Sequence, residues 1–138
     1  MDLEDIKQFI PQREPIIMVD RLVRVAAEEA VTSLVVRDTL CFVNEAGCLS
    51  EPGLIEHIAQ SASAFAGYAA RAAGATKPPV GYIGEVKKFH CYRLPECGEE
   101  LFTTIAWGPE VGGVRIVSGE TRAADEVVAE TQMKIFTR

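Results

Sequence analysis

The stretch Pro52–Gly74 reads PGLIEHIAQSASAFAGYAARAAG. Its spacing predicts one long helix, apolar on nearly every side, which is how buried helices read. Alanine, serine and glycine around the whole circumference let neighbouring backbone come close. Gly74 is a natural stop, and Pro78 and Pro79 prevent continuation. One turn in stands the stretch's lone carboxylate, Glu56. A carboxylate taken out of water must be paired or hydrogen-bonded, so Glu56 is the first residue to question about function.

Upstream, Leu3–Ile10 reads as a short amphipathic helix closed by Pro11, and Pro15 forces extension after it. Ile16–Val25 and Glu29–Arg37 read as strands joined by a hairpin at Ala26–Glu29, the second rich in β-branched residues. Residues 38–51 form a loop. Downstream, four extended segments follow: Val80–Tyr92, Glu100–Trp107, Val114–Arg122 and Val127–Thr137. In the last, Ala129, Thr131, Met133 and Ile135 alternate cleanly with Glu130, Gln132 and Lys134. Gly108-Pro109 and Gly112-Gly113 punctuate one hairpin, and Ala123–Glu126 the next. The order predicts an α+β chain in which an antiparallel sheet covers one helix. A sheet covers such a helix on one side only, so a homodimer or close heterodimer is expected to cover the rest and the exposed sheet edge.

The 138 residues fit a single domain, 1–138. A net charge of −6 does not suggest nucleic-acid or anionic-membrane binding. The opening MDLEDIKQFI is acidic where a signal peptide is basic, and the central helix is too polar to span a membrane, so a cytoplasmic protein is expected. Cys41, Cys48, Cys91 and Cys97 lack metal-ligand spacing and read as free thiols. There is no phosphate loop, metal cluster or dinucleotide fingerprint, so no cofactor is expected.

Three groups of residues, in order, carry a resemblance. They are Ile10-Pro11-Gln12-Arg13-Glu14-Pro15 with Met18-Val19-Asp20-Arg21; Pro52-Gly53 with Glu56-His57-Ile58-Ala59-Gln60; and Lys88-Phe89 with Pro95 and Gly98. Together they resemble the hot-dog fold 3-hydroxyacyl-acyl-carrier-protein dehydratases of fatty-acid synthesis. Two departures stand out: the family's His-Phe-Pro loop is replaced by Phe42-Val43-Asn44-Glu45-Ala46-Gly47, and its opening histidine by Gln12. The loop is similar to that of a divergent subgroup found with aryl-polyene pigment synthesis.

The resemblance implies a hot-dog fold, with an antiparallel sheet wrapped around one long central helix. It also implies loss of water from a 3-hydroxyacyl thioester carried on acyl carrier protein or coenzyme A, with the substrate's own pantetheine the only prosthetic group. Glu56 is then the principal acid–base group. Gly53 and Leu54 hold the positions whose backbone N–H groups, helped by the helix dipole, would stabilise an enolate oxygen. Asn44 stands near the lost histidine and could orient water or hold the thioester. His57 and His90 are the only histidines, so any histidine base is one of them, although His57 points about 100° away from Glu56 on a helix. Gln60, one turn on, can bond the carboxylate. Phe89, with Ala62, Phe65, Ala66, Tyr68 and Ile83, could line an acyl tunnel. Lys87, Lys88, Arg93, Arg71 and Lys77 are candidates for a basic patch that meets an acidic carrier protein. Two alternatives share this layout: a thioesterase in which Glu56 activates water, and a non-catalytic hot-dog subunit that completes a partner's site.

Overall fold

Six antiparallel strands form one sheet in the order β1-β2-β4-β5-β6-β3. They are β1 (Arg21–Val25), β2 (Glu29–Val35), β3 (Gly81–Cys91), β4 (Glu100–Val111), β5 (Val114–Ala123) and β6 (Glu126–Thr137). One long helix, α1 (Glu51–Ala72), packs against the sheet. This is the expected hot-dog arrangement. The computed structural model describes residues 2–137, apart from the side chains of Tyr82 and Thr137.

Three expected boundaries moved, each for a local reason. The amphipathic segment at 3–10 is only one 3-10 turn, Ile6–Gln8, because a nucleus this short gains little from hydrogen bonds before Pro11 ends it. The strand expected from Ile16 begins at Arg21. The backbone before it is taken by helix side chains: Met18 N–H donates to Gln60 Oε1 at 2.7 Å, and Gln60 Nε2 donates to the Ile16 carbonyl at 2.9 Å. Strand β4 runs on to Val111. Gly108-Pro109 is a bulge within it, where the register to β5 shifts between Trp107 and Glu110. The turn itself is Gly112-Gly113, both with positive φ.

Helix α1 starts after an extended Ser50 and carries Pro52 in its first turn, where a missing N–H costs no helical bond. It ends in paired reverse bonds, Ala75 N–H to the Ala70 carbonyl and Gly74 N–H to that of Arg71, with Gly74 at φ 100°. One core gathers Phe9, Ile10, Ile58, Phe65 and Met133 under the helix, and a second gathers Leu34, Leu49, Leu54, Leu101 and Val128 near its first turn. A buried polar seam ties helix to sheet. His57 Nδ1 donates to the Met18 carbonyl (2.6 Å), and Nε2 meets Thr103 Oγ1 (2.7 Å), which meets Thr121 Oγ1. Ser61 meets Thr32 on β2.

The helix is not buried all round. Ala69, Arg71 and Ala72 are exposed, and the strip through Ala59, Ser63 and Ala66 is only half-buried. Strand β3 forms one edge of the sheet, and Ile83 and Val86 on it are exposed, as are Val80 and Phe136 beside it.

Candidate functional site

The half-buried strip of α1 is one wall of a cavity of about 410 Å³, within the usual range for small-molecule sites. Small side chains leave this space open: Ala59, Ala62, Ser63, Ala66 and Ala69. From Glu56 to Ala69 the wall extends about 20 Å at the helical rise. Gly81 and Ile83 of β3 and Ile135 of β6 form part of the remaining lining. At the end formed by the β4–β5 hairpin stand Trp107, Glu110 and Arg115. Trp107 stacks on Phe65 with ring centroids 4.6 Å apart, and the Arg115 guanidinium lies 5.3 Å from its ring centroid. Arg115 also donates to Glu110 at 3.1 Å.

Glu56 lies in the cavity lining. Its Oε2 accepts from Gln60 Nε2 at 2.9 Å, and Gln60 is in turn fixed by the Ile16–Met18 segment, so the carboxylate is held by a braced amide. This is the hydrogen bond expected of Gln60 one turn past Glu56. Gln12, which sequence reasoning passed over as a replaced histidine, lines the same cavity, and its Oε1 is buried with no hydrogen-bond partner. Its place in the opening motif was the only signal. Trp107 and Arg115 gave none.

The other sequence-selected residues do not converge on Glu56. His57 is fully buried with both ring nitrogens bonded. Burial holds it near pH 4, well below the ordinary 6.5, against the opposing pull of the Met18 carbonyl and Asp20. His90 sits with Lys88, Thr104, Glu120 and Glu130 in a separate depression. Between Lys87 and His90 the β3–β6 register shifts, and Lys88 takes φ 51°. Phe89 packs with the core cluster of Leu49 and Leu54, outside the cavity lining. Asn44 is exposed, and its Oδ1 accepts from Ala46 N–H and Cys48 N–H, both at 3.0 Å, so it shapes its own loop.

At the helix start, Leu54 N–H is consumed by the Ser50 carbonyl at 3.0 Å, which corrects its expected role as a free donor. Gly53 lies too near the start for a helical acceptor of its own. A Cβ there would meet Leu49 and Phe42 side chains at 2.6 and 2.7 Å, so this glycine admits the preceding loop. Of the expected tunnel, Ala62, Ala66 and Ile83 line the cavity, whereas Phe65 and Tyr68 belong to the core. Of the expected basic patch, Arg93 is engaged by Glu99 and Glu126, and Lys87 by Glu85. All four cysteines are free. Among the described residues no helix is long and apolar enough to cross a membrane.

A family model described as ApeP-like, ApeP dehydratase, matches residues 4–138. No curated protein matches the sequence. Among solved structures, a chain of the dehydratase heterocomplex ApeI:P from Xenorhabdus doucetiae superposes with a TM-score of 0.89 at 15% identity, covering 96% of this chain and 90% of that one. A hypothetical thioesterase with coenzyme A from Streptococcus pneumoniae TIGR4 gives 0.68 at 9% identity, covering 86% and 84%. The E. coli PaaI protein of the phenylacetic acid degradation operon gives 0.64 at 14%, covering 83% and 80%. At these identities the structural matches establish the shared fold.

Proposed function

The chain belongs to the ApeP-like dehydratase family, and we propose that it removes water from 3-hydroxyacyl thioesters, with Glu56 as the acid–base group and the acyl chain in the α1 cavity. The observation that carries this reading is the braced carboxylate itself: Glu56, held by Gln60 in the wall of a long, largely apolar cavity.

The chemistry closes on that one group. The Glu56 carboxylate takes the proton from the carbon α to the thioester carbonyl. The electron pair left behind, delocalised toward the carbonyl oxygen, forms the Cα–Cβ double bond as the C–O bond breaks. The proton held by Glu56 passes to the departing hydroxyl, which leaves as water, and the carboxylate is restored. A backbone donor such as Gly53 N–H, at the positive end of α1, suits the developing enolate oxygen.

The carrier is an acyl carrier protein or coenzyme A. The exposed β3 edge, whose Gly81 and Ile83 also line the cavity, is where a second hot-dog subunit would close the site. The ApeI:P heterocomplex is a precedent for two different chains.

A thioesterase reading draws support from one observation: neither histidine lies in the cavity lining with Glu56, and a carboxylate alone can activate water. Incubation with a 3-hydroxydecanoyl thioester tests the assignment. An enoyl product, read by its ultraviolet absorbance, supports dehydration. Free thiol released without enoyl product supports hydrolysis. Turnover that appears only on adding a second hot-dog subunit makes this chain the accessory half.

A further inference from the structure

The sheet residues that line the cavity are apolar or glycine, apart from Glu110 and Arg115. Cross-strand pairing puts these two in one row with Ile135 and Ile83: Glu110 opposite Arg115, Arg115 opposite Ile135, and Ile135 opposite Ile83. An ion pair thus stands in a row whose other members are isoleucines.

The backbone is shaped to put it there. Strand β4 advances three residues, from Trp107 to Glu110, where β5 covers two, from Val117 to Arg115. The extra residue turns Glu110 to the face that Arg115 occupies, a place Pro109 would hold in an unbroken ladder. Gly108 permits the bulge, since a Cβ there would meet the Ile116 carbonyl oxygen at 2.8 Å. The Arg115 guanidinium is then held in place. It donates to the Gly108 carbonyl and to Glu110 Oε2, both at 3.1 Å, and lies 5.3 Å from the Trp107 ring centroid.

Trp107 stacks on Phe65, nine positions after Glu56, so the pair stands about 14 Å along the helix from the carboxylate. Ala59, Ala62 and Ala66 line the way and offer the amides of a pantetheine arm nothing to bond, so this stretch suits the acyl chain. An extended chain advances ~1.2 Å per bond, which gives room for about a dozen carbons. The side chains of Arg115 and Glu110 keep 33% and 47% of their surface in water. A methylene pressed against them displaces that water and returns no hydrogen bond, which offsets the gain of its own burial.

We propose that the Glu110–Arg115 pair ends the acyl site and sets the longest chain that binds with full gain. The assignment rests on the acyl-thioester reading for the identity of the ligand.

Calorimetry on the full chain tests it with acyl pantetheine amides, octanoyl to hexadecanoyl in steps of two carbons. The amide replaces the reactive thioester, so binding is read without turnover. A thioester that binds but yields no enoyl product overturns dehydration alone and leaves the length limit standing. In the wild-type protein affinity should rise roughly tenfold for each two carbons, the worth of two buried methylenes, and level off near dodecanoyl. Replacing both partners together leaves neither charge unpaired. Glu110→Leu with Arg115→Leu, and separately Glu110→Met with Arg115→Met, should carry the rise on to tetradecanoyl, raising its affinity relative to dodecanoyl by at least about fivefold. Wild-type affinity that still climbs beyond tetradecanoyl, or that shows no dependence on length, overturns the proposal. So does a limit unmoved in both double variants, or an equal loss at every length in both.

Discussion

Glu56 and His57 are neighbours in sequence with opposite fates, and each yields a prediction. The carboxylate lines the cavity, braced by Gln60. Glu56→Gln keeps the shape and removes the proton acceptor, so kcat for enoyl formation should fall by about 10² to 10⁴, the usual worth of a positioned acid–base group, with little change in the denaturation midpoint. Dehydration at the wild-type rate would reject the mechanism. The imidazole of His57 is a structural strut. In the folded chain it stays neutral down to about pH 4, whereas the unfolded chain takes the proton near 6.5. Between those values the unfolded state binds the extra proton, so stability falls as pH drops below 6.5 and stops falling on this account below about 4. The loss over that window is of the order of 3 kcal/mol. Urea denaturation at stepped pH should show it, and His57→Gln should start less stable but lack that slope. The Arg93–Glu99 pair titrates elsewhere. Hydrogen bonds from Arg93 hold Glu99 at about 2 against an ordinary 4.5, so its contribution is lost only as pH falls from 4.5 toward 2.

At the scale of elements, α1 is decided by where it must be thin. Glycine in a helix interior costs about 1 kcal/mol relative to alanine, yet Gly67 sits in the middle of the helix. A Cβ there would lie 1.8 Å from the Phe9 carbonyl oxygen, so the N-terminal segment packs directly on helix backbone. Gly119 on β5 makes room for a helix side chain instead, since a Cβ there would come 2.5 Å from Ile58 Cγ2. Gly67→Ala should therefore destabilise by about 1–3 kcal/mol, the scale of overpacking, and reverse the gain expected at an open helix site. Chemical denaturation measures it, and a stabilised variant would show that the approach is slack. This closeness was legible in the small residues of 52–74, as were the helix stop at Gly74 and the alternation of β6, because each is a local pattern. What the letters could not divide was core from cavity: Ala64 is buried, while Ala66 lines the cavity, and alanine serves both. The lost strand at Ile16–Asp20 was equally hidden, since its backbone partners are His57 and Gln60, some 40 residues away. The motif residues that signalled the family mostly hold the fold. Asp20 accepts from Val35 N–H at 2.7 Å and pairs with Arg37, Arg13 clamps a turn, and Gly98 supplies a positive φ of 96°. They told the fold well and the chemistry poorly.

For the molecule as a whole, the open question is what covers β3. An exposed edge strand presents unpaired backbone groups and is a template for another strand unless it is charged, bulged or covered. This one carries a bulge near Lys88, yet Ile83 and Val86 are 40% and 36% exposed, with Val80 and Phe136 beside them. The same edge supplies part of the wall of the cavity that Glu56 lines, so a chain pairing with β3 would also border that cavity. If a second hot-dog chain binds there, a charge on the edge should undo both association and turnover. Val86 is the position to use, because it lies outside the cavity lining and its change leaves the chemistry in place. The wild-type chain purified alone should have a mass of about twice 15.0 kDa by light scattering if the partner is a copy. A mass of 15.0 kDa, with dehydration appearing only beside a second hot-dog protein, would make the partner a different chain. In either case Val86→Lys should leave the circular dichroism of the fold intact, give the single-chain mass, and lower kcat/KM at least tenfold, as loss of a closed, water-excluding site demands. A Val86→Lys protein that keeps its partner and its rate would remove β3 as the interface.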